Sequence, residues 1–481
     1  MEEHDHQKKI KKNTVLSLMS LFFQSGYSAV LGLASNLILT ISLPASTFGV
    51  YIITLSIISF LNYFSDIGLA ASLVQKKEIT DEDIYTTFTV QQILIITLLS
   101  IGFLLTHIVK NFYKLPGDAV YLYWALLISF FFSSLKTIPS ILLERRVQFQ
   151  KIVLVQIVEN TLFYICVSAF ALMGWGLMSF TYSVLIRSIA GTILMYSISF
   201  WSPRFYISKK SLRQLLSFGI PFQTNSFLAL IKDELITLFL GRILGLSALG
   251  YIGWAKRWAE APIRMIMDNI SRILFPVFAR FQDDKEKISD LIQKILRYQT
   301  LILAPIYIGA VLLMDRVVEV IPKYNKWESA LPIFYLICIS AFLTSFSTPF
   351  INLFNALGKV KISFKFMIYW TTMTWILVPI LSMKFGMLGF PITLVFLSLT
   401  FIAVIYVARR YVTFHIIESI WAPFTASIIM GVVVLSIKNL IPSYPGLLAA
   451  CVGGALTYLT LLYLVFKINV VSEIKSIFKY E

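Results

Sequence analysis

Five charged residues recur at four-residue intervals between positions 251 and 280, in a segment otherwise apolar enough to cross a membrane. They alternate in sign, and they are Lys256, Glu260, Arg264, Asp268 and Arg272. Because four residues advance an α-helix by about 400°, successive charges lie above one another and form one charged stripe. Each charge at the centre of a bilayer costs about 3 kcal/mol, so the stripe must face protein or a water-filled cavity. Intramembrane charges of this kind indicate a transport pathway.

Cations in a wet cavity suit a phosphorylated cargo, since the guanidinium fork of arginine makes bidentate contacts with phosphate. The predicted basic lining comprises Arg187, Lys232, Lys256, Arg257, Arg264 and Arg272. A structural interpretation is also open, in which the two acids of the stripe neutralise its arginines in an i,i+4 ladder. We favour the cavity, because apolar packing is a cheaper way to hold a helix in place.

Aromatic side chains accompany these charges. Trp254 and Trp258 lie one helical turn apart, where their rings can stack on the faces of sugars. Tryptophan also forms interfacial belts in membrane proteins, so that second interpretation is open as well.

Six acids within predicted spans are candidates for ion coupling or for charge pairing. They are Asp66, Glu159, Asp233, Glu234, Glu260 and Asp268. A buried carboxylate can bind H⁺ or Na⁺ and so couple transport to a gradient, or it can pair with a nearby cation and hold helices together. Both interpretations are open for each acid, and the sequence predicts neither a metal site nor a cofactor.

The elements that must position these residues are membrane-spanning helices. The 481 residues are 58% hydrophobic and 14% charged, whereas a soluble domain has about 25% charged residues. We predict an all-α polytopic membrane protein with about fourteen spans, at 14–40, 46–73, 84–109, 119–143, 151–173, 177–200, 213–240, 246–275, 289–314, 329–355, 362–383, 386–408, 415–437 and 446–466.

Loop charges orient these spans. With both termini in the cytoplasm, the cytoplasmic segments carry about three times as many Lys and Arg as the outer loops. The net charge of +16 therefore records membrane topology and anionic headgroups, and we expect no nucleic acid partner.

The chain also contains weak internal repeats. Residues 175–180 match residues 385–390 (WGLMSF and FGMLGF), and residues 43–49 match residues 244–250 (LPASTFG and LGLSALG). Repeats in this order predict two six-helix lobes in parallel orientation with an added C-terminal helix pair. The predicted division is a tail at 1–13, lobes at 14–200 and 213–408, a linker at 201–212, a helix pair at 413–466 and a tail at 467–481.

Four runs of the sequence carry a family resemblance. They are residues 64–77, 142–149, 240–251 and 272–284. They resemble the polysaccharide exporters of the multidrug/oligosaccharidyl-lipid/polysaccharide (MOP) flippase superfamily, and the likeness is greatest to the O-antigen, colanic acid and teichuronic acid exporters. The resemblance extends from residue 13 to residue 467, and its motifs are structural rather than catalytic.

The resemblance implies a flippase of a bacterial or archaeal plasma membrane. Such proteins move a lipid-linked oligosaccharide, usually on undecaprenyl diphosphate, from the cytoplasmic to the outer leaflet by alternating access, for surface polysaccharide biosynthesis. The implied partners are that lipid-linked oligosaccharide, membrane lipids, a polysaccharide polymerase and glycosyltransferases.

Two other functions are open. A cation-coupled drug or metabolite antiporter of the same superfamily would have the same lobes but a more acidic cavity. A membrane polymerase or ligase acting on lipid-linked glycans would need a sizeable outer loop, whereas the predicted loops are short and the sequence holds no P-loop. We therefore predict that the chain is not an enzyme.

Overall fold

The computed structural model describes residues 2–440 and 443–468, and every regular element within those ranges is helical. The chain forms two compact units, residues 1–250 and 251–481. The helices of the first unit are α1 (Glu2–Ser42), α2 (Ala45–Tyr63), α3 (Leu69–Gln75), α4 (Asp81–Leu104), α5 (Thr106–Tyr113), α6 (Ala119–Leu135), α7 (Thr137–Arg145), α8 (Phe149–Leu172), α9 (Met178–Ile198), α10 (Lys209–Leu230) and α11 (Ile236–Leu244).

The long helix α12 (Leu246–Arg280) begins in the first unit and runs through the start of the second. The second unit continues with α13 (Lys285–Val320), α14 (Leu331–Ser345), α15 (Thr348–Ala356), α16 (Val360–Phe385), α17 (Gly389–Ser398), α18 (Phe401–Ala408), α19 (Ile416–Leu440) and α20 (Tyr444–Leu464).

Eleven helical stretches in the described residues are long and apolar enough to cross a membrane. One of them, Val360–Ala408, has 49 residues and is interrupted by a 3₁₀ turn at Gly386–Leu388. Helices α10 and α12 are not among the eleven, because charged and other polar residues lower their hydropathy. The all-helical multi-span class is confirmed, and the number fourteen and the orientation of the termini stay predictions.

The packing of α10 and α11 concerns a different grouping from the division predicted at 201–212. Helices α10 and α11 contact α3 and α2, so they belong to the first compact unit. That grouping reflects packing in one conformation, whereas the prediction concerned a sequence repeat. The predicted lobes therefore stay a prediction.

Two close contacts in the first unit involve positions that the sequence repeat relates to each other. A Cβ on Gly49 would overlap the Leu246 backbone, and a Cβ on Gly250 would overlap the Ala45 backbone. In the sequence repeat Gly49 corresponds to Gly250 and Ala45 to Leu246. The repeat therefore maps each contact onto the other. Such reciprocal contacts are expected for a pseudo-twofold axis between the first turns of α2 and α12.

Polar side chains join the helices of the first unit. The Tyr27 hydroxyl lies 2.8 Å from the Thr161 hydroxyl, and the Ser35 and Ser168 hydroxyls lie 2.8 Å apart, so α1 is hydrogen-bonded to α8. Apolar lipid supplies no hydrophobic force between helices, and such polar contacts are a usual means of association in membranes.

A break at Lys136 divides the rod formed by α6 and α7. Helix α9 supplies donors to carbonyls beside the break: Thr192 Oγ1 donates to the Phe132 carbonyl at 3.0 Å, and the Tyr196 hydroxyl donates to the Leu135 carbonyl at 3.2 Å. Interrupted helices are tolerated at membrane depth where neighbouring groups satisfy the backbone in this way.

Candidate functional site

The charged stripe lies on α12, where Glu260 bridges two cations. Its Oε2 accepts hydrogen bonds from Arg264 Nη2 at 2.7 Å and Arg264 Nε at 3.2 Å, and its Oε1 lies 3.9 Å from Lys256 Nζ. The four-residue spacing therefore produces the i,i+4 contacts expected of it. The Glu260 side chain is 21% exposed and orients the arginine fork from one side.

When Arg257 is counted with the stripe, the described charges of this part of α12 leave a positive excess. The Arg264 side chain is 67% exposed despite its contact with Glu260, and Arg257 and Asp268 are also exposed. In the described part of the chain, the Arg257 guanidinium has neither an ion pair nor a hydrogen bond. The side chain of Arg272 lies outside the described residues. A ladder and an accessible cationic surface thus coexist on one helix.

The two tryptophans of α12 differ in environment. Trp254 is 1% exposed, its indole N–H donates to the Tyr324 hydroxyl at 3.1 Å, and its ring stacks on Trp327 with centroids 5.4 Å apart. In this conformation Trp254 is part of an aromatic core and presents no free face to a sugar. Trp258 is half-buried, and its buried indole nitrogen has no acceptor in the described residues.

The charges at residues 232–234 lie in a π-helical turn, Ile231–Leu235, between α10 and α11. Lys232 Nζ lies 4.0 Å from Asp233 Oδ1, and these side chains are 37% and 59% exposed. Glu234 is half-buried. Single π-turns inside α-helices occur frequently at functional sites, and the 3.6-residue periodicity of the sequence gives no signal for this one. The turn adds a structural reason to consider these three charges.

Arg187 lies on α9 in the first unit and is half-buried. Its guanidinium carbon is 5.7 Å from the centroid of the Phe163 ring, which places the cation over an aromatic face. This contact gives Arg187 a packing role in the first unit.

Two further candidate acids, Glu159 and Asp66, have structural partners in the first unit. Glu159 is 6% exposed and forms an ion pair with Lys136. Asp66 accepts the backbone N–H of Ala70 at 3.0 and 3.1 Å from its two carboxylate oxygens, at the start of α3. Helix starts have unpaired N–H groups, so an aspartate there satisfies the backbone. The geometry favours charge pairing for Glu159 and capping for Asp66.

Comparison with known proteins identifies the family. The family described as "Polysaccharide biosynthesis protein" matches residues 38–332, which is more than half of the chain and includes the whole charged stripe. The chain belongs to this family. Membership in the polysaccharide biosynthesis family confirms the resemblance on which the sequence prediction relied.

Curated relatives of this family member include two proteins of surface polysaccharide synthesis. The chain is 28% identical over 343 residues to the lipopolysaccharide biosynthesis protein WzxC of Escherichia coli (strain K12), covering 71% of this chain and 69% of WzxC. It is 22% identical over 420 residues to the teichuronic acid biosynthesis protein TuaB of Bacillus subtilis (strain 168), covering 84% of this chain and 85% of TuaB.

The family member also has the fold of solved MOP-type transporters. An inward-closed structure of the lipid II flippase MurJ matches 94% of this chain and 99% of its own, with a TM-score of 0.77 and 15% identity. An inward-facing MATE-family multidrug resistance transporter of the MOP superfamily matches 80% of this chain and 95% of its own, with a TM-score of 0.63 and 14% identity. The protein is therefore a multi-pass membrane protein with a transporter fold.

Proposed function

We propose that this protein is a flippase that moves a lipid-linked oligosaccharide from the cytoplasmic to the outer leaflet of a plasma membrane by alternating access. The observation that carries the proposal is the exposed cationic surface on α12, in a member of the polysaccharide biosynthesis family. The names of WzxC and TuaB tie those relatives to surface polysaccharides, and MurJ is named as a lipid II flippase. Undecaprenyl diphosphate is the carrier that we propose for this chain.

The diphosphate is the part of the cargo that most needs the protein, because a charged group is expensive to move through hydrocarbon. Arg264 is our first candidate for its binding, since Glu260 holds one side of the guanidinium and the rest of the fork stays exposed. Lys256 and Arg257 supply further positive charge about two turns away. Charge-assisted hydrogen bonds to phosphate are about twice as strong as neutral ones.

Other predicted residues have supporting roles in the proposal. Arg187, Lys232 and Arg272 stay predicted members of the basic lining. Trp258 is the proposed sugar-stacking residue, because part of its surface is accessible. Trp254 is assigned instead to the core that holds α12 in position, since its ring and indole N–H are both occupied.

Coupling to H⁺ or Na⁺ would use acids without a strong structural partner. Asp233, Glu234 and Asp268 fit that description better than Glu159 and Asp66, whose carboxylates are engaged by Lys136 and by the α3 backbone. We propose fourteen spans with both termini in the cytoplasm and two six-helix lobes, 14–200 and 213–408. A polysaccharide polymerase and glycosyltransferases are the protein partners proposed for this assembly.

An antiporter of organic cations is the second candidate, favoured by the likeness to the MATE fold. The positive excess on α12 argues against it, since like charges repel a cationic drug. A membrane polymerase or ligase has less support, because the family match and the folds belong to polysaccharide biosynthesis proteins and transporters.

Binding measurements in nanodiscs separate these functions. We expect the purified protein to bind undecaprenyl-diphosphate oligosaccharide with at least tenfold higher affinity than Arg264→Ala, and Arg410→Ala to match the wild type as an exposed-arginine control. Binding of an organic cation such as ethidium, with no binding of the diphosphate lipid, would favour the antiporter instead.

A further inference from the structure

An antiparallel seam joins α2 and α3 to α10 within the first compact unit. Successive pairs along it are Tyr63 with Gln223, Gly68 with Gly219, Ser72 with Leu215, and Lys76 with Gln214. The seam therefore extends over about three turns of α10, and its two ends are held by different kinds of contact.

At one end of the seam, the N-terminal part of α10 (residues 209–216) packs into the core of the first unit. Leu215 is 2% exposed and belongs to an apolar cluster with Leu69, Leu73 and Phe88. Its carbonyl accepts the Ser72 hydroxyl at 2.7 Å. The preceding segment is tied to α4 as well, because the backbone N–H groups of residues 206 and 208 donate to Thr89 and Thr86 at 2.9 Å. We call residues 209–216 the foot of α10.

The middle of the seam is a close backbone contact between Gly68 and Gly219. Gly68 has φ of 77°, and a Cβ on Gly219 would lie 2.8 Å from the Gly68 carbonyl oxygen. Pro221 follows within α10, where it removes a helical hydrogen bond. The two glycines let the backbones approach closely, and the proline beside them is a point at which α10 can bend.

The other end of the seam, at Tyr63 and Gln223, is held by a reciprocal pair of hydrogen bonds. The Tyr63 hydroxyl donates to the Gln223 carbonyl at 2.6 Å, and Gln223 Nε2 donates to the Tyr63 carbonyl at 3.0 Å. Both side chains are only half-buried, and neither belongs to the apolar cluster under the foot. We call this pair the latch; beside it the Tyr63 ring lies 5.7 Å from the Phe227 ring of α10, and the π-helical turn that follows α10 also contacts α2.

We propose that α10 pivots over the Gly68–Gly219 contact during transport, with its foot fixed in the first unit and the Tyr63–Gln223 latch opening and closing. The proposal rests on the proposed function, since transport is what requires the movement. The π-helical turn at Ile231–Leu235, with its three charges, follows the pivot in the sequence and moves with the C-terminal part of α10. Opening the latch therefore displaces Lys232, Asp233 and Glu234 relative to α2.

Cross-linking compares the latch with the foot. In a background with Cys166, Cys338 and Cys451 replaced by serine, one protein carries Tyr63→Cys with Gln223→Cys and a matched control carries Lys76→Cys with Gln214→Cys. Each is linked by a short bifunctional thiosulfonate and assayed for flipping of undecaprenyl-diphosphate oligosaccharide in liposomes. We expect the latch cross-link to reduce the rate at least tenfold, with recovery on reduction, and the foot cross-link to leave it within twofold.

Flipping by the latch-linked protein at the unlinked rate overturns the pivot, as does an equal loss from the foot cross-link. If the unlinked proteins do not flip the lipid, the proposed function fails, and the pivot is tested separately by spin labels at the same positions in nanodiscs. Continuous-wave spectra showing close and separated populations at 63 and 223, with one close population at 76 and 214, support the pivot. A single close population at both pairs overturns it.

Discussion

The Lys136 ammonium pairs with the Glu159 carboxylate in the interior of the first unit, where their side chains are 15% and 8% exposed. Lys136 lies at the break between α6 and α7, and Glu159 lies on α8, so the pair ties the interrupted rod to its neighbour. The carboxylate is seated against Gly191 of α9, where a Cβ would overlap it. Three rods of the first unit thus meet at one ion pair.

We predict that Glu159→Gln destabilises the protein by about 3 kcal/mol, because removing one partner of a buried pair leaves the other charge uncompensated. Lys136→Met should cost a similar amount, and the double variant should be more stable than either single variant. Thermal unfolding in detergent measures all three. Additive losses in the double variant would show that the two side chains do not interact.

Arg145 should be needed at the end of α3, because its guanidinium donates to the carbonyls of Leu73, Val74, Lys76 and Lys77 at 2.6 to 2.9 Å. These atoms connect two of the runs, 64–77 and 142–149, that carry the family resemblance. We expect Arg145→Lys to increase hydrogen exchange in 69–77 at least tenfold, since an ammonium cannot reproduce the fork. Arg146→Lys, at an exposed neighbour, is the control and should not change it. Unchanged exchange in Arg145→Lys would show that these hydrogen bonds do not stabilise the end of α3.

Glu260 should moderate the binding of the diphosphate lipid. We predict that Glu260→Gln strengthens binding several-fold in nanodiscs, because it frees Arg264 and Lys256 from a shared carboxylate. Glu418→Gln, which alters a carboxylate near the start of α19, serves as the matched control and should leave the affinity unchanged. Weaker binding by Glu260→Gln would mean that orientation of the guanidinium matters more than net charge.

The two tryptophans of α12 should separate stability from binding. Trp254→Ala should destabilise the protein by about 3 to 5 kcal/mol, as expected for a fully buried aromatic ring. Trp258→Ala should leave the unfolding temperature nearly unchanged while weakening binding of the oligosaccharide lipid relative to undecaprenyl diphosphate alone. Equal loss of both lipids would exclude a sugar contact at Trp258.

The sequence predicted the stripe better than its surroundings. Four-residue spacing is a local property of a helix, so the Lys256–Glu260–Arg264 contacts follow from it directly. The face that Trp254 presents depends instead on Tyr324, which lies 70 residues away. No local pattern in the sequence predicts such a distant partner. The sequence therefore provides no indication that the Trp254 ring is packed in the core.

The contrast between local spacing and distant tertiary contacts also applies to the acids and to α10. Asp66 lies four residues before Ala70 with Gly68 between them, a spacing in which a cap is recognisable. The partnership of Glu159 with Lys136 spans 23 residues and depends on the space above Gly191. The packing of α10 on α3 likewise depends on a glycine pair separated by 151 positions of the sequence. Composition predicted the membrane class, whereas these pairings are set by tertiary structure.

The most direct test reconstitutes the purified protein into liposomes with a short undecaprenyl-diphosphate-linked oligosaccharide. The rate at which inner-leaflet lipid becomes accessible to an added membrane-impermeant sugar-modifying enzyme is then measured. We predict accelerated exposure that falls at least tenfold in Arg264→Ala and persists in Arg410→Ala. Exposure at the protein-free rate, from vesicles in which the same protein extrudes organic cations, would contradict this prediction.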